Sequence, residues 1–310
     1  MEDKIEKVSD ALAAAWRDGG IVNISEDLWP ASLEEAMTIQ DAFHAKINEE
    51  VGAWKIAMTD PSHILGGRSG GASQTPGSEA ESMPPGFYGR YYKKVVQKSP
   101  GHFRMSDFRN RPQIEAEVAL RLGQDLPSRD TPYSEEEIEA AIETVVMTID
   151  VADTRWYWDP SDWPAGLLDI YKGAADFANA GALVIGDEIP GWRDLDLAKL
   201  PVDMYYGDNL VASRVRGQTF SQMVAGLHWA VNLLSQRGFG FEKGLTITVG
   251  AIAHALAEPG ALTTVRYGEE GESGEIQITI EWVNRLCFTN LFDGLSFSKH
   301  RAPNDHALHT

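Results

Sequence analysis

Residues 112–120, PQIEAEVAL, place Glu115 and Glu117 two positions apart inside an otherwise apolar run. This alternation predicts a β-strand, on which residues two apart project to the same face. Two carboxylates on one face of a buried strand repel each other and also lose their hydration. A divalent cation relieves both costs, so the segment predicts a metal site in the core. The alternative is a pair of charges that decorates an exposed edge strand.

A third ligand is expected from residues 148–158, TIDVADTRWYW, which supply Asp150 and Asp153 at the end of the next apolar run. From the residues alone, either aspartate can fill this role. The candidates are all carboxylates, with no thiolate or histidine cluster beside them, and such oxygen ligands favour a hard cation. The sequence therefore predicts Mg²⁺ or Mn²⁺ as the cofactor.

The pattern of the whole chain predicts an α+β protein with many short strands and few helices. Helices are expected at residues 2–17, 33–50, 133–146 and 220–238. Strands are expected at residues 52–58, 113–122, 147–153, 181–185, 201–206, 210–216, 244–249, 262–267 and 275–283.

Three parts of the chain are expected to have different roles. Residues 1–100 are expected to form an N-terminal helical domain that includes a Gly- and Ser-rich lid at about residues 59–86. Segments of this length without regular structure are either lids or disordered, and we favour the lid. Residues 101–295 are expected to form the β-rich catalytic domain, and residues 296–310 a polar tail.

Charge and cysteine content exclude several classes of function. The chain has 27 Lys and Arg residues against 46 Asp and Glu residues, which gives a formal charge of −19. A negative field of this size repels nucleic acids and anionic membranes. The single cysteine excludes an intrachain disulfide and a CxxC motif. Together with an N-terminus that lacks the pattern of a signal peptide, these features predict a cytoplasmic protein.

Several motifs in order resemble those of the fumarylacetoacetate hydrolase superfamily, most closely its 2-keto-4-pentenoate hydratase and oxalocrotonate decarboxylase branch. The motifs are IEAEVALRLGQDLP (114–127), IDVADTR (149–155), AADFANAGALVIG (174–186), LHWAVNLLSQRG (227–238) and GLTITVGA (244–251). The segment GAWKIAM at residues 52–58 is similar to that branch's GWKIG segment. The resemblance covers roughly residues 50–283.

This resemblance implies a mixed β-barrel-like fold with a small N-terminal helical domain. It also implies a Mg²⁺ or Mn²⁺ ion held by Glu115, Glu117 and Asp150. The expected activity is that of a lyase, either a hydratase or a decarboxylase, acting through a metal-bound enolate of a small, unsaturated 2-oxo acid. A C–C bond hydrolase and a keto-enol tautomerase remain alternatives within the superfamily. A homo-oligomer is expected as well.

Lys55 and Arg155 match basic residues of the family's active sites. Lys55 is expected to neutralise the substrate carboxylate or enolate, and the alternative is a surface lysine. Arg155 is expected either to take part in catalysis or to form a buried ion pair with Asp153. Asp176 matches a family aspartate and is expected to be structural.

Two departures from the family pattern weaken the hydratase assignment and favour the decarboxylase. Phe87 lies close to the slot of the hydratases' acid/base aspartate, and Asn179 replaces a serine. Both are expected near the substrate. His63, in the expected lid, is a candidate proton carrier because its ordinary pKa lies near neutrality, although a loop histidine is more often simply solvated. Trp156, followed by Tyr157, Trp158 and Trp163, is expected either in the core or in a substrate pocket.

Other interpretations of the sequence are weaker. Ser69 in GRSGG matches a G-x-S-x-G pattern, but no helix follows it, which that motif requires. The histidines near the C-terminus, His300, His306 and His309, are expected to be solvated. From a different class, a non-catalytic binding protein that kept the fold is also possible. Retention of all three acidic residues argues against it.

Overall fold

The computed structural model describes residues 2–58, 86–157, 170–268 and 276–282. Within these residues the α-helices are α1 (Glu2–Asp18), α2 (Leu33–Ile47), α3 (Glu135–Ala141), α4 (Ile170–Ala175) and α5 (Phe220–Gln236). The strands are β1 (Val51–Met58), β2 (Gly86–Tyr92), β3 (Val96–Lys98), β4 (Gly101–Phe103), β5 (Gln113–Leu122), β6 (Ile142–Ala152), β7 (Ala180–Glu188), β8 (Pro201–Tyr206), β9 (Asn209–Val215), β10 (Thr246–Leu256), β11 (Thr263–Tyr267) and β12 (Ile276–Trp282).

These strands form two sheets. The larger has seven strands in the order β2-β1-β10-β5-β6-β7-β3, and the smaller has five in the order β4-β12-β11-β8-β9. Both are mixed, because β1 runs parallel to β10 and β4 runs parallel to β12, while most other pairs are antiparallel. The larger sheet is curled into a half-barrel. The prediction of an α+β chain with a mixed, barrel-like sheet is confirmed.

Local sequence signals account for the ends of several helices. Ser32 precedes α2, and its hydroxyl accepts a hydrogen bond from the Glu35 amide at 3.2 Å. Ser134 and Glu137 form a capping box at the start of α3. Such caps satisfy amide groups that the first helical turn leaves without a partner. These two helices therefore begin where the sequence places serine before acidic residues.

Helix α2 is fixed to the large sheet by a buried glutamine. Gln40 Nε2 donates to the Tyr88 carbonyl on β2 at 2.7 Å and to the Ala174 carbonyl on α4 at 2.6 Å. Its Oε1 accepts from Arg90 Nη1 at 2.7 Å. A buried amide with its hydrogen bonds made in this way holds two elements in one orientation. The N-terminal helices are thereby fixed relative to the strands that carry the candidate site.

The helix expected at residues 133–146 is wrong in its second half. Helix α3 ends at Ala141, and β6 begins at Ile142. Val145 and Val146 are fully buried and pair with Leu120 and Ala119 of β5. β-branched residues pack well on a pleated surface, and this tertiary pairing outweighs the helical spacing of a short segment. The strand that was expected at residues 147–153 is therefore longer, and it starts earlier.

Strands β1, β2 and β3 precede residue 100 but belong to the same sheet as β5 to β7. The large sheet is therefore continuous across the boundary expected between residues 100 and 101, and the division into domains stays a prediction. The expected lid up to residue 85, including His63 and Ser69, lies outside the described residues, as do Trp158, Trp163 and the C-terminal tail. No helix of the described part is long and apolar enough to cross a lipid bilayer.

Candidate metal centre

The pairing of β5 with β6 brings two of the predicted ligands face to face. Glu115 is directly opposite Asp150 in the antiparallel register, and Glu117 is opposite Thr148. Side chains opposite each other in such a pair project to the same side of the sheet. One carboxylate oxygen from each of Glu115, Glu117 and Asp150 lies within 4.8 Å of the others. Among the described residues this is the only such cluster of potential ligands, and we call it the carboxylate trio.

Lys55 reaches the trio across the sheet. β1 lies three strands away from β6, which in a flat sheet with about 4.8 Å between strands would be about 14 Å. Lys55 Nζ nevertheless donates to Glu115 Oε2 at 3.2 Å and forms an ion pair with Asp150 Oδ2. The curl of the sheet therefore turns β1 towards β6 and closes the site.

Glu117 and Asp150 are buried and Glu115 is mostly buried, and this burial changes the pKa values of the trio. Burial raises the pKa of Glu117 to about 7. The positive charge of Lys55 opposes this rise, and the negative charge of Glu115 adds to it. Burial also raises the pKa of Asp150 well above its ordinary value, against the effect of Lys55. For Glu115, burial acts in the same direction, but Lys55 and a hydrogen bond from Gln113 lower its pKa below the ordinary value. The three carboxylates are thus held in unequal environments.

Several oxygens of the trio make no hydrogen bond of good geometry among the described residues. They are both oxygens of Glu117 and Oδ1 of Asp150, all of them buried. Buried carboxylate oxygens without partners are costly, and they are rare in folded proteins. A hard divalent cation fits this donor set, because it prefers oxygen ligands and neutralises the repulsion among them.

Lys55 keeps its charge in this setting. Burial disfavours the ammonium form, but the charges of Asp150, Glu115 and Glu117 raise the pKa of Lys55 above its ordinary value. A lysine that stays protonated acts as a fixed positive charge and hydrogen-bond donor, since it has no lone pair with which to accept a proton. The alternative of a surface lysine is wrong, because Lys55 is 6% exposed.

Arg155 and Asp153 are bound elsewhere. Arg155 forms a buried ion pair with Asp176, whose carboxylate also accepts the Arg155 amide at 2.5 Å. Asp153 accepts hydrogen bonds from the amides of Arg109 and Asn110 at 2.7 and 3.1 Å. The predicted alternative of a buried ion pair for Arg155 is therefore correct in kind, but its partner is Asp176 and not Asp153. Asp150, and not Asp153, joins the two glutamates.

Arg155 also lines a separate cavity of about 150 Å³, together with Trp16, Lys94, Arg109 and the stretch of β7 at Ala182. Ala182 pairs with Val151, the neighbour of Asp150 on β6. Since successive residues of a strand point to opposite faces, this cavity lies on the other face of the sheet from Asp150. None of the trio lines it.

The three residues expected to bind substrate lie in different settings. Trp156 is buried, and its indole nitrogen donates to the Lys172 carbonyl at 2.9 Å, which is typical of a core residue. Phe87 is partly buried on β2 opposite Ala57. Asn179 ends a turn in which Phe177, Ala178 and Asn179 all have positive φ angles, and its carbonyl accepts the Asp153 amide. Whether any of them contacts a substrate stays a prediction.

Sequence reasoning missed the hydroxyl groups around the trio. Tyr91 on β2, Thr148 on β6 and Thr248 on β10 are buried, and their hydroxyl groups make no hydrogen bond of good geometry among the described residues. Thr148 is opposite Glu117, and Thr248 pairs with Lys55. The repeated aromatic residues of GFYGRYY give no sign of this role, because it depends on how β2 curls over the site.

Comparisons with known proteins agree with this architecture. The family model described as "Fumarylacetoacetate (FAA) hydrolase C-terminal" matches residues 54–283. The chain is 30% identical over 148 residues to 2-keto-4-pentenoate hydratase 1 of Dechloromonas aromatica, covering 47% of this chain and 52% of that protein. It is 27% identical over 148 residues to a 4-oxalocrotonate decarboxylase of a Pseudomonas species, with the same coverage. The chain thus spans about half the length of these curated relatives.

A longer match and a solved structure extend the likeness. The TodF product hydratase of Pseudomonas putida is 22% identical over 249 residues, which cover 80% of this chain and 85% of that protein. The structure of 4-oxalocrotonate decarboxylase from Pseudomonas putida G7, complexed with magnesium and adipate, superposes with a TM-score of 0.69 at 18% identity. That match covers 91% of this chain and 98% of the other. At this identity, it shows a common fold.

Proposed function

Because the chain belongs to the fumarylacetoacetate hydrolase family, we propose that it is a divalent-metal-dependent lyase acting on a small, unsaturated 2-oxo acid. In this proposal Glu115, Glu117 and Asp150 hold Mg²⁺ or Mn²⁺. The observation that carries it is the buried trio, whose oxygens converge from two strands and in part have no partner among the described residues. Relatives that are named hydratases and decarboxylases support the reaction class.

Charge balance supports a divalent ion. As metal ligands the three carboxylates are ionised, and together with the ammonium of Lys55 they carry a formal charge of −2 in a site that excludes most water. A divalent cation cancels this charge, whereas a monovalent cation would leave an uncompensated buried anion. When bound, the cation would supply Lewis acidity that stabilises the enolate of a 2-oxo acid.

The chain's own residues bind and orient the substrate. Lys55 is a fixed cation beside Glu115, which is the more accessible of the three carboxylates, with 13% of its side chain exposed. A substrate that enters from this side places its carboxylate near the Lys55 ammonium. Ion pairing in a buried site both orients the substrate and offsets the negative charge that develops during reaction.

Decarboxylation is the favoured reaction. Adding water to a double bond requires a positioned acid or base, and Phe87 occupies the place where the resemblance leads us to expect one. Loss of CO₂ from a 2-oxo-3-ene dioate needs only stabilisation of the resulting carbanion and return of one proton to carbon. His63 is the proposed proton carrier, and hydration is the alternative reaction. A cytoplasmic homo-oligomer is part of the same proposal, on the resemblance alone.

A substrate panel with and without metal tests the proposal. Purified protein is incubated with 2-oxo-4-enoates and 2-oxo-3-ene dioates in Mg²⁺, Mn²⁺ or a chelator, while CO₂ release and loss of conjugated absorbance are followed. We expect metal-dependent CO₂ release that Asp150→Asn abolishes. The matched control is Glu143→Gln, which alters an exposed carboxylate on the same strand. Turnover that is unaffected by the chelator, or equal in both variants, contradicts the proposal.

The same assay separates an enzyme from a non-catalytic relative. If the protein binds Mn²⁺ and a 2-oxo acid such as pyruvate or oxalate but turns over none of the panel, a binding function replaces the lyase. Hydrated product without CO₂ would select the hydratase.

A further inference from the structure

Tyr91 is fully buried, and its phenol interacts with the carboxylate trio. It lies on β2 opposite Ala53 of β1, and its side chain is fully buried. Its neighbour Tyr92 points to the other face, where its hydroxyl contacts His44 at 2.8 Å and its ring packs on Trp16. Since neighbours on a strand project to opposite faces, Tyr91 is directed to the face that holds the trio.

Electrostatic effects on Tyr91 agree with this placement. Burial raises the pKa of the Tyr91 phenol well above its ordinary value, and the nearby charges of Asp150 and Glu117 raise it further. The register agrees as well, because Lys55 is opposite Gly89 and Ala53 is opposite Tyr91, so Tyr91 projects to the same face as Lys55. A phenol O–H that faces carboxylates donates to them, because an ionised carboxylate has no donor.

A phenylalanine would fill the same space without the cost of burying a hydroxyl. The Tyr91 hydroxyl makes no hydrogen bond of good geometry among the described residues, and the same holds for Oδ1 of Asp150. The Tyr91 phenol is nevertheless within interaction range of the Asp150 carboxylate, and burying a donor and an acceptor is least costly when they pair with each other. Tyrosine at this position is explained if its hydroxyl donates to the carboxylate of Asp150.

Because Tyr91 is fully buried, it is suited to orienting a metal ligand and not to contacting the substrate. Lys55 and Glu115 have the more accessible side chains, whereas Glu117, Asp150 and Tyr91 are fully buried. A substrate that enters beside Lys55 meets the accessible groups first. Tyr91 therefore acts through Asp150.

We propose that Tyr91 is a positioning residue of the metal centre, whose hydroxyl donates to Asp150 and fixes the orientation of this ligand towards the cation. The inference rests on the proposed metal site and deepens it. Groups that orient metal ligands typically contribute 10- to 100-fold in metal affinity.

Calorimetric titration with Mn²⁺ tests the inference without any turnover. For Tyr91→Phe, which removes only the hydroxyl, we expect the Kd for Mn²⁺ to rise by about 10- to 100-fold. The matched control is Tyr92→Phe, which removes a buried hydroxyl from the opposite face of the same strand and should leave the Kd within about twofold. Equal Kd values for Tyr91→Phe and the wild type would overturn the role of Tyr91 while leaving the metal site intact.

A second measurement uses the wild-type protein, so it does not depend on the folding of the variant. Adding Mg²⁺ should produce a tyrosine difference signal in the near-ultraviolet, and Tyr92→Phe should retain it. Metal binding without this signal would also overturn the role of Tyr91. Failure of the proposed metal site gives a different result from failure of the role of Tyr91 alone. In that case the wild type binds no Mn²⁺, and Glu117→Gln does not change the titration. This result would overturn both the metal site and the role of Tyr91.

Discussion

Replacing Lys55 by methionine should destabilise the metal-free protein and make its stability strongly dependent on Mg²⁺. The substitution keeps most of the side-chain volume and removes the ammonium that pairs with Glu115 and Asp150. Removing one partner from a buried ion pair costs about 3–5 kcal/mol, because the remaining charge has lost its partner. Unfolding of a protein of 310 residues has an entropy of about 2.1 cal/mol/K per residue. With this entropy, a loss of about 4 kcal/mol, the middle of that range, lowers Tm by about 6 °C.

Mg²⁺ should reverse much of this loss. A ligand present at about 100 times its Kd stabilises a folded protein by about 2.7 kcal/mol. In the variant the trio has one more uncompensated negative charge, so Mg²⁺ should bind more tightly and raise Tm by more than it does in the wild type. The assay is differential scanning calorimetry of both proteins in chelator and in a series of Mg²⁺ concentrations.

The control substitution is Lys93→Met, which removes a lysine that is 60% exposed and pairs with Glu50. An exposed pair of this kind contributes about 0–1 kcal/mol, so Tm should change by no more than about 1–2 °C. If Lys55→Met melts like the wild type in chelator, or if Mg²⁺ stabilises it less than the wild type, the reasoning about the trio is refuted.

Two further predictions concern parts of the fold around the site. Gly89→Ala should lower the free energy of unfolding by at least about 1–3 kcal/mol in chemical denaturation, because an added Cβ would lie 2.0 Å from the Phe177 carbonyl oxygen. The control is Gly20→Ala, whose Cβ meets nothing nearer than 4.0 Å. Equal stability of the two variants would contradict the close packing of Gly89 against Phe177. Burial, aided by the charge of Arg90, lowers the pKa of His44 to about 4. Below about pH 6.5 His44 therefore binds a proton in the unfolded chain but not in the folded protein. The free energy of unfolding should fall as the pH is lowered from that value towards pH 4. His44→Gln should show a shallower fall in Tm between pH 7 and pH 5, and parallel curves would show that His44 is not the group responsible.

The sequence predicted the central strand well because its pattern has a single physical explanation. The expected strand at residues 113–122 coincides with β5, whose apolar residues alternate with the two glutamates. Asp150 could be chosen over Asp153 only through the family resemblance, which the match of the family model confirms. Spacing alone left both aspartates open, since their distance from the trio depends on the pairing of β5 with β6.

Other features depend on tertiary structure that no local pattern contains. Helical spacing in residues 133–146 continues beyond the true end of α3, because Val145 and Val146 are apolar in either structure and only pairing with β5 decides between them. The partner of Arg155 is Asp176, 21 residues away, and not Asp153, which is much nearer in sequence. The position of Tyr91 beside Asp150 follows from the curl of the large sheet, which is a property of the assembled strands.

The most direct test of the account is the anomalous difference map of a crystal grown with Mn²⁺. The account predicts one strong peak within about 2.5 Å of an oxygen from each of Glu115, Glu117 and Asp150. It also predicts that the same peak is lost in Glu117→Gln. A map without a peak at the trio, with Mn²⁺ bound elsewhere or not at all, would contradict it.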